Sequence, residues 1–256
     1  SLSCVLLAQA GEDMQRDYWY TSARDPRDLE AAELVGRRAG ERAIARLGAR
    51  RLPTGKSPVV FAPEIARGVI GHFVAAVRGG AQYRKATFLL DAAGQQIFPS
   101  WVQMHERPRI PKAPASSNFD SEGVRTRDRE LIRDGVLDGY LLGSYSARKL
   151  GMQTTGNAGG SHNLILHSGK RDLAGMIRHM RRGLLVTELM GQGVNYVTGD
   201  YSRGAAGYWV EKGEIAYPYI FEQIQTAGFT GYVGLEYWPT DSECLSALRE
   251  VADWLS

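Results

Sequence analysis

Gly191-Gln-Gly-Val-Asn-Tyr-Val-Thr-Gly-Asp-Tyr-Ser-Arg-Gly-Ala-Ala-Gly-Tyr-Trp-Val-Glu-Lys-Gly213 intersperses glycine with tyrosine, valine and tryptophan. Branched and aromatic side chains suit a pleated strand. Interior glycines weaken one unless the strand bends or another backbone comes close. Continued to Tyr217, the stretch reads as a twisted antiparallel pair kinked at its glycines, with Lys212-Gly213 as its turn. Leu184–Leu189 reads as a buried strand before it. At the other end, residues 3–10 and 17–22 are apolar and aromatic runs joined by Gly11-Glu-Asp, a hairpin pattern. Strands thus come in hairpins, and residues 1–212 do not alternate strand and helix as a parallel barrel must. The expected class is α+β, with curved, mostly antiparallel sheets and packed helices.

Working outward, Asp25-Pro26 predicts the start of a long helix. Leu29, Ala32, Val35, Ala39, Ala43, Ile44 and Leu47 form its apolar stripe, and Gly48 ends it. The scattered arginines Arg37, Arg38, Arg42, Arg46, Arg50 and Arg51 read mostly as solvated faces where they lie on helices. Ser57–Ala62 is a short strand and Pro63 opens the next helix. Strands are expected around Thr87–Leu90, Gln96–Phe98, Val136–Leu142 and Asn163–His167. Helices are expected over 144–150 and 172–182. The Pro-rich segment 107–118 reads as an extended excursion within one domain, and 151–160 as a flexible, Gly-rich turn. After Pro218 a helix (219–226), a strand (231–237) and a helix (241–255) form an αβα piece. Two domains are expected, 1–218 and 219–256.

Composition narrows the class. The chain has 256 residues, 43% hydrophobic and 23% charged, the balance of a globular protein. A net charge of +3 with scattered arginines lacks the dense basic patch that nucleic-acid binding requires, so no nucleic-acid partner is expected. No apolar run approaches the ~20 residues of a membrane span. Cys4 and Cys244 fit neither a zinc motif nor a disulfide framework. Reduced thiols and a cytoplasmic location are expected. The first residues read as a strand, not a signal peptide, which suggests that the chain starts inside a larger protein.

Several motifs carry possible chemistry. In Glu64-Ile-Ala-Arg-Gly-Val-Ile-Gly-His72, the residues Ile65, Val69, Ile70 and Phe73 bury one helix face and turn Arg67, Gly71 or His72 toward a site. A metal helix needs two lone-pair donors about a turn apart. Here only His72 remains, and Arg67, a permanent cation, repels a metal. The bland reading is a helix packed on a sheet with one polar residue at its edge. His162 and His167 are an odd number apart and point to opposite faces of a strand, so they share no metal. Gly156-Asn-Ala-Gly-Gly-Ser161 lacks the Lys-Ser/Thr ending of a phosphate loop and leads into a strand. No Gly-x-Ser-x-Gly elbow anchors a hydrolase triad. The glycine-rich Gly191–Gly207 hairpin offers an open edge to an extended peptide, with Gly193, Asn195, Tyr196 and Tyr201 as candidate contacts. The alternative is a bulged hairpin in a curved sheet.

These motifs match a known family. Residues 1–218 resemble the C-terminal domain of the TldD/PmbA family, on the PmbA (TldE) side. The resemblance rests on Met14-Gln-Arg-Asp-Tyr-Trp-Tyr20, Glu64–His72, Gly139-Tyr-Leu-Leu-Gly-Ser-Tyr-Ser-Ala-Arg-Lys149, Thr155-Gly-Asn-Ala-Gly159, Leu189-Met-Gly-Gln-Gly-Val-Asn195 and Gly199-Asp-Tyr-Ser-Arg-Gly-Ala-Ala-Gly-Tyr-Trp209. The family's TldD partner carries His-Glu-x-x-x-His. Laid over this chain, its residues fall on Arg67, Gly68 and His72, of which only the last is kept. A TldD cysteine ligand near the C-terminus has no counterpart here. The resemblance therefore implies a non-catalytic subunit of a TldD–TldE metallopeptidase heterodimer. It implies no cofactor in this subunit and zinc in the TldD-type partner. Such complexes are associated with trimming leader peptides of modified peptides such as microcins and with degrading small unfolded proteins. Modulator of DNA gyrase is the family's older label.

The tail resembles something else. Gly213-Glu-Ile-Ala-Tyr-Pro-Tyr-Ile-Phe-Glu222 and Gly231-Tyr-Val-Gly-Leu-Glu-Tyr-Trp-Pro239 look like the last unit of a hydroxypyruvate isomerase-type TIM barrel, with the crossover near Gly213–Pro218. Under that alternative Glu236 binds a metal and moves a proton. A lone Glu236 without the earlier barrel strands reads instead as a solvated or paired strand-end carboxylate. The remaining alternative is an interaction module or non-functional hybrid whose missing strands leave sheet edges unpaired.

Overall fold

The computed structural model describes residues 1–167 and 169–220. They form two compact units. The first comprises Ser1–Ile65, Leu173–Gly191 and, among the described residues, the chain from Arg203 on. The second comprises Ala66–Asp172 and Gln192–Ser202.

In the first unit β1 (Leu2–Ala10) and β2 (Asp13–Thr21) form an antiparallel hairpin, with Val5 opposite Tyr18 and Cys4 opposite Trp19. A 3-10 turn at Pro26–Asp28, capped by the Asp25 carboxylate, precedes α1 (Ala32–Ala45). The long helix expected from Pro26 is thus broken at Leu29–Ala31, because the capped turn closes on itself and Leu29 is extended. Along α1 the buried residues are Val35, Ala39 and Ala43. Its arginines are not all solvated. Arg42 Nε donates to Asp17 (3.2 Å) and its Nη1 to Glu64 (2.8 Å). Arg46 pairs with Glu188 at 2.5 Å. Arg38 and Arg42 flank the Trp19 ring, their guanidinium carbons 5.3 and 5.4 Å from its centroid.

The four-stranded sheet of this unit also uses β3 (Val59–Phe61) and is ordered β10-β9-β8-β3, with β8 (Gly183–Met190), β9 (Gly204–Glu211) and β10 (Glu214–Ile220). Among the described strands of this sheet, β3 and β8 pair in parallel and the other neighbours antiparallel. Lys212 (φ 56°) and Gly213 (φ 85°) are both left-handed, as a two-residue hairpin turn requires. The expected turn is therefore present. The helix expected from Tyr219 is replaced at 219–220 by the end of β10, which pairs with Ala206 and Gly207. The remaining tail, with Glu236 and the expected strand and helix, lies outside the described residues. The helix α5 (Leu173–Met180) packs Leu173, Met176, Ile177 and Met180 against Val60, Leu185 and Val210.

In the second unit the core gathers Phe73, Val77, Leu89, Ile97, Met104, Leu131, Ile132, Leu137 and Leu142. It contains α2 (Pro63–Ala76) from Ala66 on, α3 (Gly79–Tyr83), α4 (Ser144–Lys149) and a sheet ordered β6-β5-β4-β7. Those strands are β4 (Met104–Glu106), β5 (Arg129–Arg133), β6 (Val136–Leu137) and β7 (Leu164–Leu166), all antiparallel. The strand expected at Thr87–Leu90 is a turn. Leu89 is fully buried, and the Thr87 hydroxyl donates to Ala76 O while accepting from Leu89 N, so side chain replaces ladder. Gln96–Phe98 contributes one isolated bridge, and Val136–Leu142 shortens to two residues of strand. The class is α+β with mostly antiparallel pairing, as expected. Among the described residues no helix is long and apolar enough to cross a membrane.

Candidate functional site

The sequence candidates converge on α2. Phe73, Val74 and Ala76 bury its inner face, and Ile70 packs on the same core. Arg67, Gly68 and Gly71 are exposed on it and His72 is half-buried. A Cβ at Gly68 or Gly71 would meet nothing within 4 Å. Glycine in a helix interior costs roughly 0.5–1 kcal/mol relative to alanine, and here no described neighbour requires it. Glu64, in the first turn, accepts from Arg42.

His72 meets two of the hairpin tyrosines. Its Nδ1 is 2.8 Å from the Tyr196 hydroxyl, with the rings 5.9 Å apart. The Tyr201 ring approaches edge-on at 5.7 Å. Between β8 and β9 the chain does not continue both strands. Residues 192–202 make their own small loop, bridged at Val194 and Tyr201. Ser202 N donates to Gly193 O (2.6 Å), Asn195 N to Asp200 O (2.9 Å) and Gly199 N to Asn195 O (2.8 Å). A Cβ on Gly193 would overlap the Ser202 carbonyl oxygen. The Asn195 side-chain oxygen accepts from Val197 N (3.0 Å), so this candidate shapes the turn. Phe88 N donates to Tyr196 O (2.7 Å) and fastens the loop to the unit. Sequence reasoning missed Phe88, since nothing local marks a backbone donor so distant along the chain. Of the candidates, then, Tyr196 and Tyr201 lie against His72, whereas Gly193 and Asn195 build the loop that carries them. Glu236 lies outside the described residues.

The donor set does not fit a metal. Arg67 offers no lone pair, His72 Nδ1 faces a phenol, and no group of three or more His, Cys, Asp or Glu among the described residues is placed to hold an ion.

The Gly-rich loop is pinned, not free. Asn157 Nδ2 donates to Glu106 (2.7 Å), as does His162 N (2.7 Å). Gly156 N donates to Thr154, Asn157 N to Leu142 O and Ala158 N to the Asp120 carboxylate. The amides of Gly156, Asn157, Ala158 and Gly160, which a phosphate cradle would use, are therefore engaged inside the protein. His162 and His167 are separate, as expected. His162 Nε2 donates to Gly156 O (3.0 Å), whereas His167 stacks on His105 at 4.2 Å.

Burial alone would raise the Asp120 carboxyl, but N–H donors from Ala158, Glu122 and Val124, with His162 nearby, hold it below the usual aspartate range. A depressed folded-state pKa stabilises the protein above the unfolded value of about 4 and loses that contribution as pH falls through the folded value. Asp120→Asn is expected to flatten the loss of stability on acidification below about pH 4. Urea midpoints at neutral and acid pH measure it, and parallel curves for the two proteins exclude it. Likewise burial opposes, but Arg107 and His105 outweigh it, in lowering the Glu130 carboxyl.

Comparison with known proteins gives one family. The family described as PmbA/TldA metallopeptidase C-terminal domain matches residues 54–228, and its central domain matches 1–47. The former runs past the boundary expected at 218. The chain is 53% identical over 228 residues to Metalloprotease PmbA of Escherichia coli O157:H7, covering 89% of this chain and 50% of that protein. It is 48% identical over 219 residues to the Metalloprotease PmbA homolog of Haemophilus influenzae, covering 85% and 49%. The chain thus spans about half the length of the curated relatives it matches. Among solved structures, a proposed modulator of DNA gyrase from Bacteroides thetaiotaomicron superposes with TM-score 0.80 at 30% identity, over 85% of this chain and 49% of that one. TldE from Thermococcus kodakarensis shares the fold, with TM-score 0.72 at 23% identity over 86% and 52%.

Proposed function

This chain belongs to the PmbA/TldD metallopeptidase family, and from that premise we propose that it is the non-catalytic subunit of a TldD–TldE-type complex. It would present an extended peptide to a TldD-type partner that carries the zinc. The observation that carries the reading is the exposed face of α2. Where the family's metal helix would place two imidazoles, this chain has His72, engaged by Tyr196, and the exposed Arg67 guanidinium. Gly68 and Gly71 leave open space beside them, which lets a peptide backbone lie close. The loop bearing Tyr196 and Tyr201 walls the same place with two aromatic rings packed against His72. Leader peptides and small unfolded proteins, both extended chains, are the substrates this arrangement suits.

The test titrates a dansylated leader peptide into a TldD-type partner with and without this chain. Binding is expected to tighten about tenfold with it. Gly193→Val, whose side chain would collide with the Ser202 carbonyl, is expected to remove the gain. Equal affinity with and without the chain ends the proposal. Elemental analysis of the chain alone is expected to read well below one zinc per molecule, and one tightly held equivalent overturns the assignment of the metal to the partner.

A further inference from the structure

The helices α3 and α4 meet with almost no space between them. Gly79 N donates to Leu141 O (2.9 Å) and Leu141 N to Val77 O (3.1 Å). A Cβ at Gly79 would stand 2.6 Å from Ser146 Cβ, so only glycine permits the contact. The crossing sets Tyr83 against Tyr145, edge to face, with ring centroids 5.7 Å apart. Arg84 lies over the Tyr83 ring at 5.3 Å and donates to its hydroxyl at 3.2 Å. Lys149 lies over the Tyr145 ring at 5.7 Å. The result is a continuous row of cation, ring, ring and cation on the surface.

Charge around the row is one-sided. Residues 78–85 and 144–149 include Arg78, Arg84, Lys85, Arg148 and Lys149 and contain no Asp or Glu. All five cations are exposed, and Tyr145 is 53% exposed. Among the described residues, Arg78, Arg84, Lys85 and Lys149 take part in no ion pair. The acid close by, Glu122, accepts from Ser144 N and feels Arg148. Like charges held side by side repel one another, and a partner of opposite sign relieves that repulsion.

We propose that this surface docks an acidic, extended polypeptide segment. Arg84 lies over the Tyr83 ring and Lys149 over the Tyr145 ring, so a nucleic-acid base stacking on either covered face would first have to displace that ring's own cation. What points outward is a guanidinium fork and ammonium groups. A guanidinium fork matches a carboxylate bidentately, and the ring beneath fixes its plane. The surface is a separate feature from the α2 face, and its test needs no TldD-type partner.

Anisotropy of a fluorescein-labelled peptide of alternating Glu and Gly, titrated with the full chain at low salt, tests the proposal. Binding is expected, weakening as salt rises. Arg84→Glu/Lys149→Glu is expected to weaken it about tenfold or more. Arg16→Glu/Arg37→Glu, which makes the same change in net charge on exposed residues elsewhere, is expected to leave it nearly unchanged. Thermal melts confirm that both variants fold. Equal weakening by the two double variants, equal binding of a Ser/Gly peptide, or no binding at all overturns the proposal. Oligothymidylate binding that is lost in the Arg84/Lys149 variant while the acidic peptide fails to bind assigns the surface to nucleic acid instead.

Discussion

Glu106→Ala is expected to destabilise the second unit by about 4 kcal/mol. The carboxyl is 1% exposed, and its Oε1 accepts from both Asn157 Nδ2 and His162 N. Removing it leaves two buried donors without an acceptor, and each charged hydrogen bond is worth roughly 1.5–3 kcal/mol. It also strips a counter-charge from Arg129. Burial already pulls the Arg129 guanidinium below the usual arginine range, and Glu106 and Asp138 offset that pull. For a chain of this size the loss corresponds to a fall of roughly 8–16 °C in melting temperature. Glu106→Gln separates the causes. Its amide oxygen still accepts both bonds, so it is expected to lose only the charge component, roughly half the effect. Chemical denaturation of the two variants reads the difference. A cost below about 1 kcal/mol for the alanine variant contradicts the account.

Asp17→Ala is the second large effect, about 3 kcal/mol in the first unit. Asp17 is 4% exposed on β2 and accepts from Arg42 Nε and from Tyr18 N (2.7 Å), with Arg46 at 3.5 Å. Burial works against the Arg42 charge, but Asp17 and Glu64 prevail and hold its pKa above the usual value. Without Asp17 the arginines keep Glu64 and Glu188, which is why the cost stays below that of stranding a charge outright. The network is specific more than strong. Replacing Asp17 and Arg42 together by Leu and Met is therefore expected to recover most of the lost stability, because two desolvation penalties vanish with the pair. Equal urea midpoints for the single and double variants would exclude that coupling.

The parts of the fold legible in the sequence were those fixed by short-range chemistry. The β1–β2 hairpin, the Lys212-Gly213 turn, α4 and the apolar stripe of α5 follow from turn residues and periodicity. A comparable signal was overlooked. Asp134-Gly135, both left-handed, turns β5 into β6, and Asp-Gly between apolar runs is a strong hairpin mark. Other elements were illegible for a physical reason. Met104-His-Glu106 is short and half polar, yet it is a central strand because partners from distant segments pair on both sides. Thr87–Leu90 has strand-like composition, but its side chains close a turn once Leu89 enters the core. Arg42 and Arg46 fit a solvated helix face until the carboxylates of β2, α2 and β8 arrive.

The candidate site divides in the same way. The motif Glu64–His72 and the glycines near 193 were visible as local patterns. The contact between His72 and Tyr196 joins residues 124 positions apart, and no periodicity encodes such a meeting.

Asp120 has one more consequence. Its carboxylate sits among the amides of Ala158, Glu122 and Val124, where a glycine-rich loop of another protein would welcome a nucleotide. The chain thus carries its own resident anion at that place, and ATP or GTP arriving there would meet a like charge. A phosphate could take those amides only by displacing the Asp120 carboxylate.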